Sequence, residues 1–104
     1  MSSISPKTFD DAVRQLALEV AEVVIKKQHD YGPNNIMKSL IPTNQAIAVR
    51  LNDKLARIVH LDSKSLTPEN ESMSDSWTDV IGYGLVGKMY NEGTFTLPLD
   101  DKAS

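Results

Sequence analysis

An all-α fold is what the sequence predicts: three main amphipathic helices in an antiparallel bundle, completed by oligomerisation, with an extended C-terminal arm. Three observations predict it. Apolar residues recur at spacings of three and four in three separate stretches. Each stretch opens on capping or proline chemistry and closes on breakers. The one segment with β-like composition, Thr94-Phe95-Thr96-Leu97, is short and stands near the chain end.

The first helix starts near Ser5-Pro6 or Thr8. Proline suits a first helical turn, and Thr8 followed by Asp10 and Asp11 supplies a cap and acids that suit the helix dipole. Phe9, Val13, Leu16, Ala17, Val20 and Val24 form its main apolar stripe, which places Gln15, Glu19, Glu22 and Lys26 on the opposite, solvent-facing side. Leu18, Ala21 and Ile25 make a second stripe. The pattern stops in His29-Asp30-Tyr31-Gly32-Pro33-Asn34-Asn35, which is dense in breakers.

The second helix follows Pro42, capped by Thr43 or Asn44, and buries Ile47, Leu51, Leu55 and Ile58. Asp62-Ser63-Lys64-Ser65 and Pro68 read as a loop. The third is capped by Asn70 or Ser72 and carries Met73, Trp77, Val80, Ile81 and Leu85 on its apolar face. Gly82, Gly84 and Gly87 fall inside it, each costing about 1 kcal/mol against alanine. Because Val86, Met89 and Tyr90 continue the periodicity, these glycines point to a close approach by another backbone rather than to a break.

The domain spans residues 1–91, and 92–104 form an extended or disordered tail. The chain's 104 residues, 40% apolar and 24% charged, suit one globular domain. A net charge of −3 argues against general nucleic-acid binding, which calls for a basic face. Without cysteine there is no disulfide, thiolate nucleophile or zinc-thiolate site. No apolar run approaches a membrane span, and the acidic N-terminus does not read as a signal peptide, so the expected location is the cytoplasm. Three helices make a thin core, and chains this short gain stability by association, so a homo-oligomer is expected.

Several side chains are candidates for chemistry. Glu71, Asp75 and Asp79 recur one turn apart, and their repulsion would be relieved by a cation such as Mg²⁺, which favours carboxylate, phosphate and water oxygens. The same acids also read as a solvated helix face. Glu19 and Glu22 form an ExxE pair that joins a metal site only if a subunit interface covers it. Arg50, Lys54 and Arg57 can grip phosphate, or the cluster is a surface salt-bridge ladder in which Arg50 and Arg57 both reach Asp53. Lys27 sits at the end of the first helix. Tyr31 can stack on a base and Asn35 can read a base edge or sugar; alternatively, Asp30 and Gly32 build a turn with Tyr31 as its lid.

Taken together, Lys27-x-x-Asp30-Tyr31-Gly32-x-x-Asn35, Arg50-Leu51-x-Asp53-Lys54-x-x-Arg57 and Asn70-Glu71-Ser72-x-x-Asp75-x-x-x-Asp79-x-x-x-Tyr83 resemble the nucleotide modification associated domain of bacteriophages and some bacteria. The resemblance covers about residues 10–90 and implies kinship with the MazG-like all-α nucleotide pyrophosphohydrolases, whose paired acids hold Mg²⁺ over a nucleoside triphosphate. The location implied is then the host cytoplasm. On this resemblance Glu71 and Asp75 are the catalytic candidates. Asp79, Glu19 and Glu22 join them as metal ligands, and Lys27, Asp30, Tyr31, Asn35, Arg50, Asp53, Lys54 and Arg57 contact the nucleotide. The second acidic pair departs from the family's ExxD by one residue. Two other functions fit the same residues: a nucleotide-binding or sequestering protein without chemistry, and an interaction protein that modulates a host or phage enzyme.

Overall fold

The computed structural model describes residues 5–64 and 71–100, with Glu71 and Ser72 described in backbone only. Within these residues the chain is all-helical and has no strand: α1 (Phe9–Tyr31), α2 (Asn34–Met37), α3 (Thr43–Asp62) and α4 (Glu71–Glu92). The expected cap Asn70 and the loop residues Ser65 and Pro68 lie outside the described positions, whereas Ser72, the other expected cap, is already within α4, which begins at Glu71.

Local sequence sets the ends of α1. Thr8 is its N-cap, and the threonine hydroxyl accepts the Asp11 amide at 3.0 Å. The helix runs past His29 to Tyr31. There Gly32, at φ +72°, turns the chain into a left-handed conformation and donates its amide to the Gln28 carbonyl at 2.8 Å. The breaker segment then folds one extra short helix, α2, which inserts Ile36 into the core. At the start of α3 neither expected residue caps: Pro42 occupies the cap position, and Thr43 is already helical and buried. Proline supplies the entry φ there but no side-chain acceptor.

α4 lies against both other long helices, and its most extensive contact is with α3. It stays helical through all three glycines. The close approach at two of them comes from side chains rather than backbone: a Cβ on Gly82 would stand 3.4 Å from Val24 Cγ2, and one on Gly87 3.8 Å from Ile47 Cγ2. Thus α1 and α3 each set a branched side chain over a position of α4 that lacks one. Gly84 meets nothing. Near the start of α3, Asn44 exchanges two amide hydrogen bonds with Asn91 near the end of α4, at 3.1 and 2.8 Å.

The core gathers Ile36, Ile47, Val86 and Phe95, with Val24, Leu51, Tyr83, Met89 and Tyr90 packed around them. Two expectations are corrected here. Within the expected tail, the described residues 93–100 are not simply an arm: turns after Gly93 return Phe95 to the core at 5% exposure, and Gln28 Nε2 donates to its carbonyl at 3.2 Å. The solvent face of α1 is also rotated. Val20 is buried and Val24 meets Gly82 of α4, while Gln15 and Glu19 are half-buried and Phe9 is left 81% exposed, with Val13, Leu16 and Ala17 exposed as well. On α3 and α4, Leu55, Trp77 and Ile81 are likewise less covered than their stripes predict. Three long helices have too few faces to cover one another. Among the described residues no helix is long and apolar enough to cross a membrane.

Candidate functional site

A cavity of about 320 Å³ opens where the C-terminal part of α1, the start of α2, and facing turns of α3 and α4 converge. Its walls include Lys27, Tyr31 and Gly32 from the first sequence motif, Asn35 on α2, Arg50 from the second motif, and Asp79 and Tyr83 from the third. Val23, Val24, Ile36, Val86 and Phe95 give it an apolar floor. At this volume it stands at the low end of the range for small-molecule sites, which combine apolar walls with a few convergent polar groups.

The electrostatic centre is Asp79, whose side chain is 21% exposed. Lys54 Nζ from α3 lies 2.9 Å from Oδ2, and Lys27 Nζ from α1 lies 3.3 Å from Oδ1. Each carboxylate oxygen therefore faces a different ammonium, and three helices meet at one aspartate. Partial burial alone would raise its pKa. The hydrogen bonds and charges of Lys54 and Lys27 outweigh that and hold it below the ordinary 3.8. Arg50 Nη2 donates to the Asn35 carbonyl at 2.8 Å, tying α2 to α3 while the guanidinium lines the cavity. Neither Arg50 nor Lys54 forms the expected surface ladder with Asp53. Asp53 and Arg57 are exposed, have no ion-pair partner among the described residues, and do not line the cavity.

Asp30 also stands apart from the cavity lining. It accepts Lys26 Nζ at 2.9 Å on the exposed flank of α1, a pair that raises the Lys26 pKa, chiefly through that hydrogen bond. Lys26 thus pairs forward along the helix with Asp30 rather than back to Glu22. Glu19 accepts a 3.4 Å hydrogen bond from Gln15, and Glu22 is exposed; neither lines the cavity. Asp75 is exposed one turn before Asp79, and the Glu71 side chain lies outside the described residues. No three His, Cys, Asp or Glu side chains among the described residues are grouped to hold a metal ion.

Sequence reasoning missed Gln28, Thr78, Gly82 and Phe95 as lining residues. Gln28 and Gly82 follow at i+4 from Val24 and Thr78, so helical spacing could have found them once the correct face of each helix was known. Phe95 carries no such signal. Compared with known protein families, with curated proteins and with solved structures, the chain shows no match.

Proposed function

We propose that the cavity binds a phosphorylated nucleotide, without catalysis, as a nucleotide-binding or sequestering protein. The observation that carries this reading is convergence: segments around residues 27–36, 50–54 and 79–83, distant in sequence, deliver cations, aromatic rings and an apolar floor to one opening. Arg50 and Lys27 supply phosphate contacts, and Tyr31 and Tyr83 supply flat surfaces for a base. This agrees with the resemblance to the nucleotide modification associated domain of phages, and with action in a host cytoplasm.

The hydrolytic alternative uses Mg²⁺ on Glu71, Asp75 and Asp79, with Glu19 and Glu22. Of these acids only Asp79 lines the cavity among the described side chains, whereas Asp75, Glu19 and Glu22 do not, and that observation favours binding over turnover. The deciding experiment incubates the full chain with a panel of nucleoside mono-, di- and triphosphates, in Mg²⁺ and again in EDTA, and follows binding and product together. Affinity that persists in EDTA with no product supports the binder. Mg²⁺-dependent release of pyrophosphate establishes the enzyme instead.

The same reading takes the three long helices as an antiparallel bundle completed by a second copy of the chain. Phe9, Val13, Leu16 and Leu18 on α1 and Trp77 and Ile81 on α4 are exposed apolar side chains available to an interface.

A further inference from the structure

We propose that Asp79 is an internal stand-in for the ligand's phosphate: a phosphate-type dianion takes Lys27 and Lys54 from it on binding. The inference rests on the phosphate-binding reading above and specifies how that site is regulated. Its basis is geometry. A carboxylate whose two oxygens each hold a separate ammonium, at 2.9 and 3.3 Å, offers those ammoniums the kind of contact that a phosphate offers. The lysines come from α1 and α3, on either side of α4, and Lys27 and Asp79 both line the cavity. Neither lysine is buried, at 56% and 33% side-chain exposure, so both ammoniums retain freedom to turn from the carboxylate toward an arriving anion.

Charge supports the exchange. Lys27, Lys54 and Arg50 against Asp79 leave the site with three positive charges and one negative. A phosphate monoester at neutral pH carries about −1.5 to −2, which matches that surplus of two. Asp79 keeps the lysines satisfied and arranged while the site is empty, and it competes with every anion that enters.

A proton signature follows. Losing its two ammoniums to an anion returns Asp79 to partial burial beside a negative charge, so its pKa rises on binding. Anion affinity then increases as pH falls through the titration of Asp79 in the complex, with protons taken up. The other titratable groups lining the cavity are Lys27, Arg50, Tyr31 and Tyr83, and Lys54 faces Asp79 from α3.

The test uses the full chain and inorganic sulfate, a dianion that does not itself titrate in this range, by calorimetry at low ionic strength in buffers of different ionisation enthalpy. Wild type is expected to bind sulfate more tightly at about pH 4.5 than at about pH 7, and to take up a fraction of a proton on binding. Asp79→Asn is expected to bind several-fold more tightly at neutral pH and to lose the proton uptake, whereas Lys27→Ala and Lys54→Ala each weaken binding about tenfold or more. Unchanged or weaker binding by Asp79→Asn, with no proton uptake by wild type, makes Asp79 a mere spacer for the lysines and overturns the proposal. The proton count is read on wild type, so it decides even if a variant fails to fold. Sulfate and phosphate binding absent from wild type and Asp79→Asn alike overturns the phosphate-binding reading itself.

Discussion

Replacing Phe95 with alanine tests whether the segment after α4 belongs to the fold. The ring is 5% exposed and joins Ile36, Ile47 and Val86, so truncation removes nearly a full transfer free energy and leaves a hole. Buried Phe→Ala changes cost about 3–5 kcal/mol. A domain of this size gains or loses about 4–8 °C of Tm per kcal/mol, so the expected drop is at least roughly 12 °C. Such a loss is a large share of the about 5–15 kcal/mol typical of whole domains, so Phe95→Leu provides a graded partner at about 1 kcal/mol. Thermal and urea melts followed by circular dichroism measure both. Because Phe95 also forms part of the cavity floor, nucleotide or sulfate affinity should fall in Phe95→Leu by more than its stability change alone explains. A Phe95→Ala protein that melts within 2–3 °C of wild type, an effect of about 0.5 kcal/mol as at ordinary surface sites, would refute the reasoning and make the tail a detached arm.

Other expectations can be checked on the same material. Arg50→Ala should weaken ligand binding and lower Tm modestly, because it also loses the Asn35 carbonyl contact, whereas Arg57→Ala should leave binding unaltered; equal effects from both in a binding titration would contradict the cavity assignment. Gly84→Ala meets no neighbour and should gain about 0.5–1 kcal/mol, visible as a higher melting temperature, while Gly82→Leu should drive α1 from α4 and lower it. Asp79 has a pKa depressed in the folded protein, so its contribution to stability is complete above its ordinary 3.8 and lost as pH falls through the lower folded value. Acid unfolding of Asp79→Asn should therefore be less steep below that point, and an identical acid limb would count against it. Light scattering at micromolar concentration should give a native mass above one chain, and a monodisperse monomer would remove the second copy.

The ends of α1 were legible because single residues decide them: a threonine hydroxyl that accepts an amide, and a glycine that adopts φ +72°. Six of the lining side chains, Lys27, Tyr31, Asn35, Arg50, Asp79 and Tyr83, stand at the named positions of the three motifs, whereas the equally polar Gln28 and Thr78 fall on unspecified positions between them. The pairing of the six was not legible. Whether Arg50 turns to Asp53 or to the Asn35 carbonyl depends on where α2 lies, and nothing local to α3 encodes that. The rotation of α1 was hidden for a similar reason. The helix has two apolar stripes, so several faces are nearly equivalent, and the face that docks is the one whose Val24 fits over Gly82 of α4. Phe95 was illegible because a single aromatic in a turn has no periodic neighbours to mark it as core.

The Asn44–Asn91 exchange has a consequence for alignment along the helix axes. Each amide both donates and accepts, and Asn91 also donates to the Gly87 carbonyl at 2.7 Å, so the joint tolerates little axial play between α3 and α4. Asp79 lies twelve residues earlier on α4 (from Asn91), about 18 Å away at 1.5 Å per residue. A slip of one helical turn, about 5.4 Å, would disengage the amides and carry the carboxylate out of reach of Lys54 in the same movement. The clasp works as an index pin: fitted at one end of a stiff rod, it fixes how far along the rod the charge stands at the other.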